Sequence, residues 1–442
     1  MKWSLPALLL SLATRAIAHD VLSLYVSYLH EHGKDINRAG DPSRVTRFAA
    51  SLRAVYDCSL SSKSYKCKVN EYSDWLEEEV DSLYTKHSIE RQDDKTDSSA
   101  SSAATGALHN DSDSATMGSS ASFLDSLNWM STDNPVGSPV ISSIRNQGQC
   151  GACWAFVSAA AIEASVRINT GQAVPLSVQQ LVDCDNKRNK GCDGGNPVFA
   201  YDYVMTNGLE RWNAYPYTEK HSLACQISTG GTKSFIKNYV KIPTKNQKIL
   251  KDFVRASPVS VGLCGTDETF LYYSSGVYDE PDCCTTQNHA LLIVGYGHDN
   301  TSNLDYWVAM NSWGSRWGDR GFMQLKRSAD DSGSGQCGVA QSPSAAIGGF
   351  IVHTDDPDDI EQYRVWLNVV INFFRDNWVF VALLASLLLS IYSVVLVLYM
   401  LLSDHIEWLR RRRASASDTL RLSSPLPKLA AAYGSVNNED DV

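Results

Sequence analysis

The sequence has little charge and no excess of basic residues. Lys and Arg number 39 against 49 Asp and Glu, which gives a net charge of −10, and charged residues make up 20% of the 442 positions. The acidic balance argues against a broad nucleic-acid-binding surface. The 10% aromatic content excludes a mainly disordered or collagen-like chain. No internal repeat is present, and at about 100–200 residues per domain the length allows two or three folded units.

Cysteine, in contrast, is plentiful. The count of 11 is odd, so at least one thiol is unpaired or pairs between chains. Residues 1–18 are typical of a secretory signal peptide, with a positive start, an apolar middle and the small-residue motif Ala16-Ile17-Ala18. An N-terminal membrane anchor is the alternative, but the apolar run is too short to span a bilayer. Cleavage after Ala18 predicts an oxidising compartment, where disulfides persist.

The C-terminal region contains a long uncharged run. Residues 379–402 carry no charge, and about 20 apolar residues suffice to cross a membrane. Four arginines at 410–413 follow, which predicts that the tail at 403–442 is cytosolic. A buried core helix is the alternative. We therefore expect a single-pass type I membrane protein with a stalk at 350–378 and a lumenal or extracellular body, in lysosome, endosome or at the cell surface.

Three segments lie between these ends. Residues 19–90 show apolar side chains at helical spacing, which predicts amphipathic helices. Residues 91–122 are dominated by Ser, Ala, Asp and Thr and have too few large apolar side chains to form a core, which predicts a flexible linker. Residues 123–349 regain a globular composition.

The segment 147–156 carries the strongest chemical signal, Gln-Gly-Gln-Cys-Gly-Ala-Cys-Trp-Ala-Phe, and opens an Ala-rich helical pattern. Cys153 lies where a glycine-containing turn becomes the first turn of that helix. The dipole at a helix N-terminus stabilises a thiolate relative to the thiol. Cys153 is therefore the predicted nucleophile.

A thiolate nucleophile needs a partner that acts as base and acid near neutral pH, and histidine fits that role. His221 and His298 lie in polar, turn-like contexts, whereas His289 precedes the buried-strand pattern Ala-Leu-Leu-Ile-Val-Gly-Tyr-Gly. A lone histidine at such a place is ordinarily structural. Its combination with the Cys153 motif favours a catalytic base.

Two further side chains complete the predicted centre. Asn311 follows a strand-like pattern and opens Asn-Ser-Trp-Gly-Ser-Arg-Trp-Gly. Its amide oxygen can accept from the imidazole of His289, and Trp313 can shield that bond from water. Gln147 lies six residues before Cys153, so its amide and the backbone N–H of Cys153 can form an oxyanion hole.

Four blocks occur in order: the Cys153 motif, Gly-Cys-Asp-Gly-Gly at 191–195, Asn-His-Ala with Gly-Tyr-Gly, and Asn-Ser-Trp-Gly with Trp-Gly. Together they resemble the papain family of cysteine proteases, in its cathepsin L-like group. The resemblance implies an α+β, papain-like two-domain fold with a helical left domain and a β-barrel-like right domain, preceded by a helical inhibitory propeptide. It implies an endopeptidase that hydrolyses polypeptide substrates through a thioester acyl-enzyme, with no cofactor and no metal.

The resemblance also implies a set of substrate-binding residues. Five of them resemble the walls and floor of the family's S2 pocket, namely Asn196, Pro197, Gly262, Ala290 and Ser342. The small or neutral character of these five predicts an apolar P2 side chain, without an acidic group to recruit arginine. No histidine-bearing occluding loop of the cathepsin B-like kind is present, which favours an endopeptidase over a dipeptidase. The residues are Gly194, Gly195, Asn196, Pro197, Gly262, Ala290, Trp313 and Ser342.

The segment 19–90 resembles the family propeptide less completely. Asn-Glu-Tyr-Ser-Asp at 70–74 resembles the Asn-x-Phe-x-Asp block, and the upstream helix keeps three family positions but departs at two. The positions kept are Arg44, Phe48 and Val55, and the departures are Gly40 for Glu and Ser51 for Asn. We expect this segment to occupy the cleft until acid weakens carboxylate contacts such as those of Asp74, with cleavage then in the linker. A helical stalk of unrelated use is the alternative.

The resemblance pairs most cysteines, and the remainder are left to pair with each other. Adjacent Cys283 and Cys284 leave swapped partners open. The expected pairs are Cys150–Cys192, Cys184–Cys225, Cys283–Cys337, Cys264–Cys284 and, in the propeptide, Cys58–Cys67, with Cys153 free. Asn110 and Asn300 begin N-glycosylation sequons. Two other functions share this sequence pattern: a binding protein on a silent protease fold, which the intact predicted centre argues against, and a peptide ligase that uses the same acyl-enzyme.

Overall fold

The computed structural model describes residues 20–61, 63–86, 89, 125–228, 230–328 and 332–353, with single positions at 390, 392, 393 and 402. The chain divides into two compact units, Met1–Ile360 and Glu361–Val442. All helices and strands named below belong to the first unit. The described residues do not include the predicted signal peptide, the linker at 91–122, the sequon at Asn110 or the tail at 403–442.

The predicted membrane span at 379–402 also lies outside the description, apart from its four single positions. Crossing a bilayer takes about 20 consecutive apolar residues in one helix. Within the described ranges, the structure contains no helix that combines this length with this apolarity. This finding contradicts the predicted localisation as a single-pass membrane protein of lysosome, endosome or cell surface.

The N-terminal segment, called the prosegment below, is mainly helical. Residues 20–31 form helix α1. Helix α2 (Pro42–Leu60) is capped by Asp41, whose side chain accepts a hydrogen bond from the Ser43 N–H. Strand β1 (Tyr65–Cys67) and helix α3 (Glu77–Asp81) follow. A small apolar core of its own joins α1 to α2; its buried members are Tyr25, Tyr28, Leu29 and Phe48.

The helical half of the catalytic region is built around α4 (Cys153–Thr170). Its residues from Cys153 to Val166 are all buried, because this stretch consists of Ala, other apolar residues and three small or paired polar ones. Gly171 follows the last residue and caps the helix; its φ of 73° is the left-handed conformation that favours glycine. The other helices are α5 (Val178–Cys184), α6 (Pro197–Asn207), α7 (Gln247–Ala256) and α8 (Glu268–Leu271).

The other half is a sheet centred on β8 (His289–Asp299), which is buried from His289 to Gly297. Because both faces of this strand are buried, its sequence is apolar almost throughout and does not alternate between apolar and polar residues. The remaining strands are β2 (Leu127–Asn128), β3 (Leu209–Glu210), β4 (Thr232–Phe235), β5 (Asn238–Lys241), β6 (Val259–Leu263), β7 (Tyr273–Tyr278), β9 (Leu304–Met310), β10 (Phe322–Lys326), β11 (Ser344–Ile347) and β12 (Phe350–His353).

The main sheet has the strand order β1-β7-β10-β9-β8-β6-β11-β5, with β2 also paired to β8. Among the described strands this path stays open, so the expected barrel-like half is an open sheet and not a closed barrel. A second sheet has the order β12-β4-β3. Strand β12 lies beyond the predicted domain end at 349 and pairs with β4 from Phe350 to His353. The folded catalytic region therefore continues into the predicted stalk.

Five disulfides join ten of the cysteines. Among the described residues, Cys153 is the free cysteine, and it is buried. Cys283 is bonded to Cys337 and not to Cys264, so the structure contains the expected arrangement of the adjacent pair. The bonds are Cys58–Cys67, Cys150–Cys192, Cys184–Cys225, Cys264–Cys284 and Cys283–Cys337. The sequon residue Asn300 is exposed in the turn between β8 and β9.

Candidate active site

Cys153 is the first residue of α4 and is fully buried. The turn before the helix is held by the Cys150–Cys192 disulfide and by the Gly151 N–H, which donates to the Cys192 carbonyl at 3.0 Å. A Cβ atom at Gly151 would lie 2.5 Å from that carbonyl oxygen, so only glycine fits here. The sequence thus places the thiol at a rigid helix N-terminus, where the helix dipole stabilises the thiolate.

His289 begins β8, and Asn311 directly follows the end of β9. The two strands are neighbours, and the His289 Nε2 atom lies 2.9 Å from Asn311 Oδ1. Donation from Nε2 to this amide oxygen leaves Nδ1 as the acceptor atom of the ring. Nδ1 is buried and has no hydrogen-bond partner within the described residues. The Trp313 ring lies 4.7 Å from the imidazole and covers it.

Burial keeps both reactive groups neutral in this form of the protein. It raises the pKa of the Cys153 thiol to about 12, against the opposing effect of the nearby Ala290 backbone N–H. It also lowers the pKa of His289 to about 4, although the hydrogen bond to Asn311 acts in the other direction. A thiolate–imidazolium pair therefore requires that water reach the site.

Gln147 is fully buried and held in one orientation. Its side-chain oxygen accepts a hydrogen bond from Ser312 Oγ at 2.6 Å, which fixes the amide nitrogen toward the cleft. That nitrogen donates to the carbonyls of Cys150 at 2.8 Å and Leu83 at 2.9 Å. A carbonyl oxygen beside Cys153 thus already lies against the donor expected to hold an oxyanion. Ser312 has no counterpart among the residues singled out from the sequence.

The prosegment crosses the cleft from Leu83 to Lys86, outside any helix or strand. The Tyr84 carbonyl approaches Gly151 so closely that a Cβ there would lie 2.6 Å from it. The Thr85 N–H donates to the Asn288 carbonyl at 2.8 Å, and the Lys86 N–H donates to the Asp193 carbonyl at 3.0 Å. These bonds attach the chain to both sides of the cleft, which buries Cys153 beneath it.

Gly194 lies against this path, and Gly195, which follows it, packs on Asn189. A Cβ at Gly194 would lie 2.6 Å from Thr85 Cβ, and one at Gly195 would lie 2.5 Å from Asn189 Oδ1. Asn196 caps α6 and donates from Nδ2 to the Ile89 carbonyl at 3.0 Å. Pro197, the first residue of α6, is buried in the helix start and contributes no hydrogen bond to this path in the described residues.

The other predicted pocket residues lie together on the sheet side. Gly262 of β6 pairs with Ala290 of β8. The fully buried Gln287 side chain fills the space beside Gly262 and bonds to Ser342 Oγ at 2.5 Å. Its Nε2 donates to the carbonyls of Gly262 and Gly338, so every polar atom of the amide is used internally.

Gln287 was absent from the sequence prediction, although its position two residues before His289 was the available signal. The Ile89 N–H donates to the backbone carbonyl of Gln287 at 2.9 Å, and the Ile89 side chain is buried. The prosegment therefore passes first over Cys153 and then between Gln287 and Asn196.

A buried thiol at a helix N-terminus, an imidazole oriented by an amide, and a fixed amide donor define a cysteine hydrolase, here with its cleft covered by its own N-terminal segment. The chain belongs to the papain family of cysteine proteases, because residues 126–347 match the model of the family described as "Papain family cysteine protease". The papain-like α+β fold and the cysteine endopeptidase activity expected from the sequence are confirmed.

Relatives support the same assignment. The chain is 31% identical over 344 residues to germination-specific cysteine protease 1 of Arabidopsis thaliana, covering 74% of this chain and 85% of that one. It is 36% identical over 224 residues to cathepsin S of Bos taurus, covering 50% and 64%.

Solved proforms are similar over the prosegment as well. The Amb a 11 cysteine protease, a major ragweed pollen allergen, in its proform has a TM-score of 0.60 at 30% identity, covering 74% of this chain and 94% of that one. Digestive procathepsin L 3 of the Tenebrio molitor larval midgut has a TM-score of 0.57 at 25% identity, covering 74% and 99%. The prediction of an inhibitory propeptide, against an unrelated stalk, is thereby confirmed.

Proposed function

We propose that this protease is made as a zymogen in which the segment with Leu83–Lys86 and Ile89 blocks the cleft. The residues that carry the reaction are Cys153, His289, Asn311 and Gln147. The observation that supports this most directly is the hydrogen bond from Gln147 Nε2 to the Leu83 carbonyl, 2.9 Å long. This bond places the Leu83 carbonyl where a substrate carbonyl must lie if its oxygen is to accept a hydrogen bond from Gln147.

After the prosegment leaves, the proton of the Cys153 thiol passes to His289 Nδ1, and the thiolate attacks the scissile carbonyl. Asn311 holds the ring through Nε2, so Nδ1 faces the reacting atoms. Gln147 and the backbone N–H of Cys153 donate to the oxyanion. The imidazolium returns its proton to the leaving amine, which yields a thioester and a free N-terminus. Water then hydrolyses the thioester with His289 as base.

The direction of the prosegment explains why it blocks the cleft without being cleaved there. A substrate chain passes its P2 residue before it reaches the nucleophile. The prosegment instead passes Cys153 at Leu83–Tyr84 and reaches Gln287 only at Ile89. Its backbone therefore runs in the direction opposite to that of a substrate. In this reversed direction, the carbonyl carbons of the prosegment are not oriented for attack by the Cys153 thiol.

Activation is expected to follow cleavage within residues 91–122. The trimmed enzyme should hydrolyse a large, unfolded protein substrate at least about 100-fold faster than the intact zymogen, since the intact form lacks an open cleft. The assay compares initial rates of both forms at equal concentration. Equal rates would contradict an inhibitory role, and product analysis with an added amine distinguishes hydrolysis from ligation.

We also propose an apolar P2 preference. The amide of Gln287 is fully used by Gly262, Gly338 and Ser342. Among the described residues, this part of the wall therefore offers an arginine side chain no carboxylate. Burial of an apolar side chain against such a wall is favourable, whereas burial of an unpaired guanidinium is costly.

The replacement Ser342→Glu introduces a carboxylate beside this wall. We expect the ratio of kcat/KM for Arg over Leu at P2 to rise by about 10-fold or more, because a hydrogen bond to a charged group contributes about 1.5–3 kcal/mol. The measurement is a set of fluorogenic peptides that differ only at P2. Ser342→Gln, which has nearly the same shape without charge, is the control and should leave the ratio close to that of the wild type.

A further inference from the structure

The prosegment contacts a second surface, which lies on the edge of the main sheet. Strand β1 pairs antiparallel with β7, with Tyr65 opposite Gly276 and Lys66 opposite Ser275. Since β1 is the terminal strand of the sheet, its departure leaves β7 as an edge strand. An exposed edge with unpaired N–H and C=O groups binds an extended chain by strand addition.

Gly276 adapts this edge to a close backbone approach. Its φ is 82°, and a Cβ there would lie 2.4 Å from the Ser64 carbonyl oxygen. The Val277 N–H donates to that same carbonyl at 3.0 Å, and Ser64 Oγ donates to the Val277 carbonyl at 2.6 Å. The chain next to β7 is thus held in part through backbone atoms, which any polypeptide can supply.

Two side chains add selectivity at the end of this edge. Lys63 forms an ion pair with Glu280, whose side chain is only 14% exposed. Tyr65 is buried, donates to the Glu280 carboxylate at 2.6 Å, and packs its ring 4.6 Å from that of Tyr278. When the prosegment leaves, Glu280 loses both partners, and the face of Tyr278 is uncovered.

We infer that, in the activated enzyme, the β7 edge with Glu280 and Tyr278 binds substrate polypeptides at a distance from the cleft. Call this surface the β7–Glu280 edge. It takes an extended segment with a basic residue two positions before an aromatic one, as in Lys63-Ser64-Tyr65. The basic residue pairs with Glu280, and the aromatic ring lies on Tyr278. This inference rests on the proposed removal of the prosegment.

Two fluorogenic reporters test this surface. Both carry the same cleavable peptide and a flexible linker, followed in one by Lys-Ser-Tyr-Lys-Ser and in the other by Glu-Ser-Tyr-Lys-Ser. The enzyme is prepared from the full-length chain by cleavage and removal of the prosegment. It should show about a 10-fold lower KM for the lysine reporter at equal kcat, because tethering raises the effective concentration of the cleavable peptide. Equal KM values would overturn the inference without any enzyme variant.

The variant Glu280→Lys should invert the preference between the two reporters, while leaving kcat/KM unchanged for a short peptide that lacks the added segment. Asp282→Lys is the matched control: Asp282 is exposed and forms no ion pair or hydrogen bond with the described part of the prosegment, so the preference should persist.

Loss of the preference in both variants, or an equal effect on the short peptide, would contradict the β7–Glu280 edge. If the short peptide itself is not cleaved after prosegment removal, the proposed function fails, and the inference fails with it. Cleavage of the short peptide without discrimination between reporters overturns only the inference.

Discussion

Replacing Cys153 with alanine lowers kcat by at least about 10⁴-fold, the scale seen when a nucleophile is removed from a catalytic unit. No other described cysteine can substitute, since the other ten are in disulfides. His289 and Asn311 remain, but without a thiol they can only orient water. The measurement is hydrolysis of a fluorogenic peptide, together with covalent labelling by an epoxysuccinyl cysteine-protease probe.

Maturation has to be separated from catalysis in this test. Both wild type and Cys153→Ala are therefore trimmed by an added protease before assay. Ser158→Ala is the matched control, because the buried Ser158 hydroxyl bonds back to the Trp154 carbonyl within α4 and does not reach the cleft. We expect full labelling of this control and of wild type. A labelled Cys153→Ala enzyme would show that another group is the nucleophile.

Replacing Asp74 with asparagine weakens prosegment inhibition by about 10²–10⁴-fold, because removal of one partner from a buried ion pair costs about 3–5 kcal/mol. The Asp74 side chain is fully buried and bonds to Lys34 and to Arg38. The hydroxyls of Tyr25 and Tyr28 donate to the same carboxylate at 3.0 and 3.2 Å. These groups fasten α1 and the following turn to the segment that leads into the cleft.

The readout is activity of the untrimmed chain on a short fluorogenic peptide at neutral pH, with thermal unfolding of the zymogen measured in parallel. Asp57→Asn is the matched control. Asp57 lies in α2 and pairs with Arg53 at the surface, so its loss should leave the untrimmed chain inactive. Full inhibition in Asp74→Asn would show that the cluster does not support the closed state.

The same cluster sets the pH dependence of inhibition. Burial alone would raise the pKa of Asp74, but Lys34 and Arg38 outweigh it and hold the pKa below the ordinary 3.8. Burial also acts to raise the pKa of Glu79, but the paired hydrogen bonds from Arg44 outweigh it and hold that pKa below the ordinary 4.5. A lowered pKa stabilises the closed form above the unfolded value and stops doing so as pH falls through the folded value.

Release of the prosegment is therefore expected below about pH 4, and not in the mildly acidic range. A titration of prosegment dissociation against pH checks this. In Asp74→Asn the transition should move to higher pH or disappear, because the group that must be protonated is gone.

The sequence was most informative where chemistry demands particular residues in particular contexts. The turn before α4, the strand after His289 and the amide of Asn311 were all readable, because each depends on local pattern. Gln287 and Ser312 were not, since each acts through partners distant in the chain: Ser342 and Gln147. The open path of the main sheet was equally hidden, because strand pairing across β6, β8 and β11 depends on long-range register.

The burial of Cys153 under the prosegment has a consequence before the enzyme ever meets a substrate. Ten cysteines must find their partners while an eleventh thiol is present, and thiol–disulfide exchange needs a thiolate with access to sulfur. With a pKa near 12 and no exposure, Cys153 offers almost no thiolate and no route of attack. Once closed, the prosegment keeps the future nucleophile from scrambling the bonds that shape its own cleft.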